Sequence, residues 1–136
     1  MTSLTLLKNE FVTLQFHQDS GIVHHEFHKY IFGENFRSVL TTGVEAMEKY
    51  KATKWLSDDR KNNALAQDDS EWAMTVWSAR ALAAGWKYWA VVLPEKIIGQ
   101  MNMQRFIDMY KARGLAVRVF SDPALARTWL ENPSNG

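Results

Sequence analysis

The sequence predicts an α/β fold built on a mixed sheet, and three observations predict it. Apolar and polar residues alternate strictly through an early segment, helical stripes separate short apolar runs downstream, and turn or cap residues stand at the junctions. In Phe11 to His17, Val12, Leu14 and Phe16 fall on one side and Thr13, Gln15 and His17 on the other, the period of a half-buried strand. Gln18-Asp19-Ser20-Gly21 is a turn signal and Ile22 to His28 follows with β-branched and aromatic residues, so the two runs read as an antiparallel hairpin. Thr2 to Leu7 adds a ragged leading strand.

From Glu34 to Tyr50, Phe36, Val39, Leu40, Gly43, Val44 and Met47 form one continuous helical stripe. Thr53 to Ser57 is a short strand and Ser57 to Gln67 a polar loop. Asp68 stands three residues before Glu71, a spacing that predicts an N-cap with an acidic N3 partner. The Ala-rich helix that follows runs to Ala84 and stops at Gly85. Lys87 to Leu93 is a buried strand ending at Pro94. Met103, Phe106, Ile107 and Tyr110 mark a further helix that ends by Gly114, and Leu115 to Phe120 is the last strand. Ser121-Asp122-Pro123 supplies a capping side chain and a Pro at the first helical position, opening a helix that ends near Glu131. The order is β-β-α-β-α-β-α-β-α. Strands separated by single helices must run parallel, so the sheet is mixed, with a leading antiparallel hairpin followed by βαβαβα units and helices packed on the sheet. Residues 1–136 are expected to form a single domain with a core over about residues 10–131.

Bulk properties narrow the function classes. A net charge of +1, from 16 basic and 15 acidic residues, provides no field to hold a phosphate backbone or an anionic membrane, so nucleic acid is not an expected partner. Without cysteine, disulfides, thiolate metal sites and cysteine nucleophiles are excluded. Met1 to Glu10 has no signal-peptide pattern and no stretch approaches about 18 apolar residues, which makes a cytoplasmic location without a transmembrane segment the expectation. Six tryptophans pack a core or line a pocket or subunit interface, and together with an edge strand they are compatible with a homodimer.

Ligands in open α/β sheets collect beyond the carboxyl ends of parallel strands, which singles out Ser57 to Ser70, Pro94 to Gly99 and Ser121-Asp122. Asp58 and Arg60 share a face if the strand continues through them, either as a local salt bridge or as a pair that grips a polar group. Asp69-Ser70-Glu71-Trp72 opens a helix, where Ser70 is either a first-turn capping residue or a phosphorylation site beside the helix dipole. His24, Glu26 and His28 project to one side of their strand, an exposed hairpin face more than a metal set, while His25 packs on the other side near Val23 and Phe27. Met101, Met103 and Met109 with Phe106 and Tyr110 form a soft apolar helix face, read as core filling. Dinucleotide, Walker A, nucleophile-elbow and zincin motifs are missing, so no cofactor or metal is expected.

The run Trp55-Leu56-Ser57-Asp58-Asp59-Arg60, then Asp69-x-Glu71-Trp72, Ala81 to Gly85, Val91-Val92-Leu93-Pro94, Phe120-x-Asp122 and Trp129-Leu130, resembles small bacterial proteins with a STAS-like fold, related to the anti-sigma-factor antagonist domains. The resemblance covers about Phe11 to Leu130. It implies a STAS-like sheet and a protein-binding face around the helix that begins at Asp69-Ser70, where antagonists of this type carry a phosphorylated Ser. Here Glu71-Trp72 replaces the small residue and glycine of that motif. The broad fold also resembles the lipid-binding CRAL-TRIO module. The expected function is therefore a non-enzymatic regulatory or protein-interaction module whose partner- or ligand-binding residues are Asp58, Arg60, Ser70, Glu71, Trp72 and Pro94. The alternative is a small-molecule or lipid-like carrier with a Trp-lined crevice near the Ser57 to Ser70 loop.

Overall fold

A computed structural model describes residues 3–133. Six strands form one sheet in the order in which they occur along the chain: β1 (Ser3–Lys8), β2 (Val12–His17), β3 (Ile22–Phe27), β4 (Lys54–Asp58), β5 (Tyr88–Val92) and β6 (Ala116–Phe120). The first two pairings are antiparallel and the last three parallel. The leading strand is irregular as expected, with its register broken between Thr5 and Leu7.

Each parallel step needs a crossover. These are α1 (Gly33–Tyr50), a continuous helical run of α2 (Gln67–Trp72), a π-helical turn (Ala73–Trp77) and α3 (Ser78–Ala83), and finally α4 (Ile97–Ala112). Crossovers of one hand with sequential strand order place all of these helices on one face of the sheet. Their apolar sides, including Val39, Val44, Ala81 and Ile107, share a core with Val12, Leu14, Val23, Trp55, Trp89 and Val117. The closing helix α5 (Pro123–Glu131) is capped as the sequence predicts, with Asp122 Oδ1 accepting from Ala124 N at 2.9 Å. It lies on the opposite face, where Ala126, Trp129 and Leu130 pack on Ile22, Leu56, Ala90 and Val92.

Two local expectations are corrected. The helix after the polar loop starts at Gln67, and Ala66 precedes it without a side-chain cap, so Asp68 is not an N-cap. Its neighbour Asp69 turns away to α1, whose own N-cap Phe32 offers no side-chain acceptor: Gly33 N donates to Asp69 Oδ2 at 2.7 Å and Arg37 Nε to Oδ1 at 3.0 Å. On α4, Met101 is exposed and stands outside the apolar face that Met103, Phe106, Ile107 and Tyr110 bury. Among the described residues no helix is long and apolar enough to cross a membrane.

Candidate functional site

The period of two along β4 divides its side chains. Trp55 and Ser57 face the layer of α1, α3 and α4, whereas Leu56 packs in the α5 core and Asp58 follows it. Pairing with β5 continues one residue beyond the strand, since Asp59 N donates to Val92 O at 3.0 Å. Asp59 therefore faces the same side as Ser57 and Trp55. Across the parallel register, His25 of β3 stands opposite Ser57.

Between this strip and the helices lies a cavity of about 50 Å³. Trp55, Trp77, Trp86 and Trp89 surround it with Phe106 and Tyr110. The rings meet edge to face, with centroids 5.4 Å apart for Trp55 and Trp77, 5.3 Å for Trp77 and Trp86, and 5.7 Å for Trp86 and Trp89. That is the preferred aromatic arrangement, because the electropositive edge of one ring meets the electron-rich face of the next. Each of these four indole N–H groups has a protein acceptor: Trp77 donates to Leu40 O, Trp86 to Tyr88 O, Trp89 to Ser57 Oγ and Trp55 to His25 Nδ1. Burial pushes the Tyr110 phenol well above its ordinary value, against the opposing pull of Arg113 and a Ser78 hydrogen bond, so it stays neutral. The π-helical turn carries Ala73 and Trp77 into the lining. Such turns occur often at functional sites.

One end of the cavity is polar. His25, Ser57, Asp59 and Asn62 line it, all four buried. His25 stacks on Phe27 at 4.2 Å between ring centroids and holds Asp59 Oδ1 at 2.8 Å through Nε2. An indole N–H can only donate, so the 3.0 Å contact from Trp55 makes His25 Nδ1 an acceptor and puts the ring proton on Nε2. The imidazole is thus neutral and donates to Asp59. Asn62, which also lines the cavity, is oriented by the same logic: Ile31 N donates to its Oδ1 at 3.2 Å, which leaves the amide NH₂ free of that contact.

The loop that carries Asp59 and Asn62 is pinned at both flanks. Glu95 N donates to Arg60 O and Leu65 N to Asn102 Oδ1, while Gly99 approaches so closely that a Cβ there would sit 2.7 Å from Pro94 Cβ and 3.2 Å from the Asn63 carbonyl carbon. A segment of polar composition is in this way built into the protein and not left as a solvated loop.

The residues singled out from sequence do not converge on this cavity. Asp58 and Arg60 do pair, with Nε and Nη2 each 2.9 Å from a carboxylate oxygen, and the bidentate contact raises the arginine pKa. Asp58 itself is buried, while Arg60 is half-exposed. Ser70 is buried with no partner for its Oγ, and Glu71 is exposed. Trp72 is half-buried against Phe36 and lies under the Arg37 guanidinium at 5.2 Å. Pro94 is buried, its carbonyl accepting from Gln100 Nε2. His24, Glu26 and His28 do not gather: His24 Nδ1 meets His17 Nε2 at 3.0 Å, and His28 Nε2 meets Thr13 Oγ1 at 2.8 Å.

His25 packs beside Phe27 as the alternation predicts, but its polar partners Asp59 and Asn62 are groups that sequence reasoning did not place at a site. Their signal was present in the alternation itself, since a histidine between inward Val23 and Phe27 and an aspartate two residues after Ser57 are polar groups on an apolar face. No protein-family model, curated protein or solved structure matches the chain, so the chemistry of the site rests on its own geometry.

Proposed function

We propose that this protein is a STAS-like binding module that takes a small, largely apolar molecule into its tryptophan-lined cavity. The cavity carries this reading. Protein interiors pack with few voids larger than a water molecule, so a cavity of this size inside the helix layer is unusual. A space rimmed by four tryptophans and closed at one end by buried polar groups is shaped to orient a guest. The sequential six-strand order with its crossover helices on one face supports the STAS-like assignment. Buried Ser70 supports placing recognition in the cavity and not at a phosphorylated helix start.

The test fills the hole. Ala73→Leu puts three further carbons against the cavity wall, and it is expected to raise the melting temperature by a few degrees while abolishing the response of tryptophan emission to a panel of small alcohols, amides and alkylammonium salts. A wild-type protein that answers none of the panel, or a variant that answers as the wild type does, overturns the proposal.

A second reading, the protein-interaction module, rests on exposed apolar side chains flanking the same loop. Tyr30 and stacked Phe32 stand on the side tied to Asn62 through Ile31, and Ile97, Ile98 and Met101 on the side tied to Leu65 through Asn102. Under this reading a pulldown partner is lost with Phe32→Ser or Ile97→Ser and kept with Ala73→Leu; retention by all three variants rejects it.

A further inference from the structure

Resting on the cavity reading above, we infer that the guest is a small alkylammonium cation, held with its charged end against Asp59 and its methyl groups among the tryptophans. Asp59 is 3% exposed and lines the cavity. Its only cationic candidate within reach is His25, which the Trp55 N–H keeps neutral, and no Lys or Arg forms an ion pair with Asp59 among the described residues. The carboxylate charge is therefore stabilised by a hydrogen bond but not balanced. Its second oxygen accepts no protein hydrogen bond among the described residues.

Three kinds of guest could meet that oxygen: a water, a neutral donor or a cation. Asn62 can bridge to Asp59 through a water or through an alcohol, since it lines the cavity and its NH₂ is free of the Ile31 contact. Either would complete the hydrogen bonding and leave the carboxylate without a counter-ion. A cation completes both, and burying a charge without a partner is the larger penalty, so charge decides the class. The walls favour the same class. Aromatic faces attract cations, tryptophan most strongly, and all four indole N–H groups are already engaged, so none competes for the guest's position. Arg113 reaches Ser78 Oγ at 3.2 Å beside Tyr110, but its side chain is exposed, where solvent screens it. About 50 Å³, against the ~10–15 Å³ that one water requires, limits the guest to a few heavy atoms, the range from methylammonium to trimethylammonium.

The test compares trimethylammonium chloride with tert-butanol, a neutral molecule of nearly the same shape, at constant ionic strength, reading indole emission and calorimetric heat on the wild-type protein. The cation is expected to bind at least tenfold more tightly, and Asp59→Asn is expected to remove that preference while tert-butanol still binds. Equal binding of the two, or preference for tert-butanol, refutes the cation and leaves the cavity reading intact. Failure of both to bind, together with silence from the rest of the small-solute panel, refutes the two together. If Asp59→Asn does not fold, the wild-type comparison decides alone.

Discussion

Glycine 43 shows how a single residue sets the depth of the cavity wall. It lies on the buried stripe of α1, and a Cβ built there would collide with the six-membered ring of Trp55, whose Cζ3 would stand 2.6 Å away. The missing side chain lets the indole pass under the helix and reach His25 with its N–H. Two effects of Gly43→Ala oppose each other. Helix propensity favours alanine by about 1 kcal/mol. Overpacking typically costs about 1–3 kcal/mol, and here a rigid bicyclic ring must move, with the buried Trp55–His25 hydrogen bond strained as it goes. The overpacking wins. Gly43→Ala is expected to lower the unfolding free energy by about 1–2 kcal/mol in urea titration and to shift the tryptophan emission; unchanged or higher stability would show that the ring has room to yield.

The elements were legible wherever burial follows a period. The α1 stripe is the clearest case, for every residue of it named from spacing (Phe36, Val39, Leu40, Gly43, Val44 and Met47) is buried in the structure. β4 and β5 pair in parallel over Lys54–Asp58 and Tyr88–Val92, as single-helix crossovers require. What local pattern does not carry is the use of a polar group by a distant element. Asp69 looks like part of its own helix start, and only the fold brings it within reach of Gly33 and Arg37, which lie more than thirty positions away. The polar loop fails for the same reason: Asp59 and Asn62 are buried because Val92, His25 and Ile31 supply their hydrogen-bond partners, and none of these is near in sequence. Asp58 and Arg60 form the local salt bridge that their spacing allowed, although the strand ends at Asp58. The cavity lies on the other face, one residue along, so half of the site was visible in the tryptophans and its polar end was not.

At the scale of the whole molecule, the two faces of the sheet handle histidine in opposite ways, and the second face gives the protein an acid limit. On the α5 side His17 and His24 touch, Nε2 to Nδ1, with Ser3 Oγ 2.7 Å from His17 Nδ1 and no partner for His24 Nε2. Burial above all, followed by His17 and Arg127 and resisted by Asp58, pushes the His24 pKa down to about 3. Burial and Arg127 lower His17 as well, against Asp19 and Glu131. Both groups begin from 6.5 in the unfolded chain. Above that pH neither state binds the proton, and the histidines leave stability unaffected. Below it the unfolded chain takes up protons that the folded state refuses, so stability falls with pH by about 1.4 kcal/mol per unit for each fully refusing group, until the folded pKa is reached. For His24 alone the loss between pH 6.5 and pH 5 is on the order of 2 kcal/mol. Urea unfolding at pH 7.5 and pH 5.0 measures it, with His24→Asn, which cannot titrate, as the reference. The wild type is expected to lose clearly more stability than the variant over this interval. Equal losses in the two would assign the acid sensitivity to other groups and show that the buried pair accepts a proton without cost.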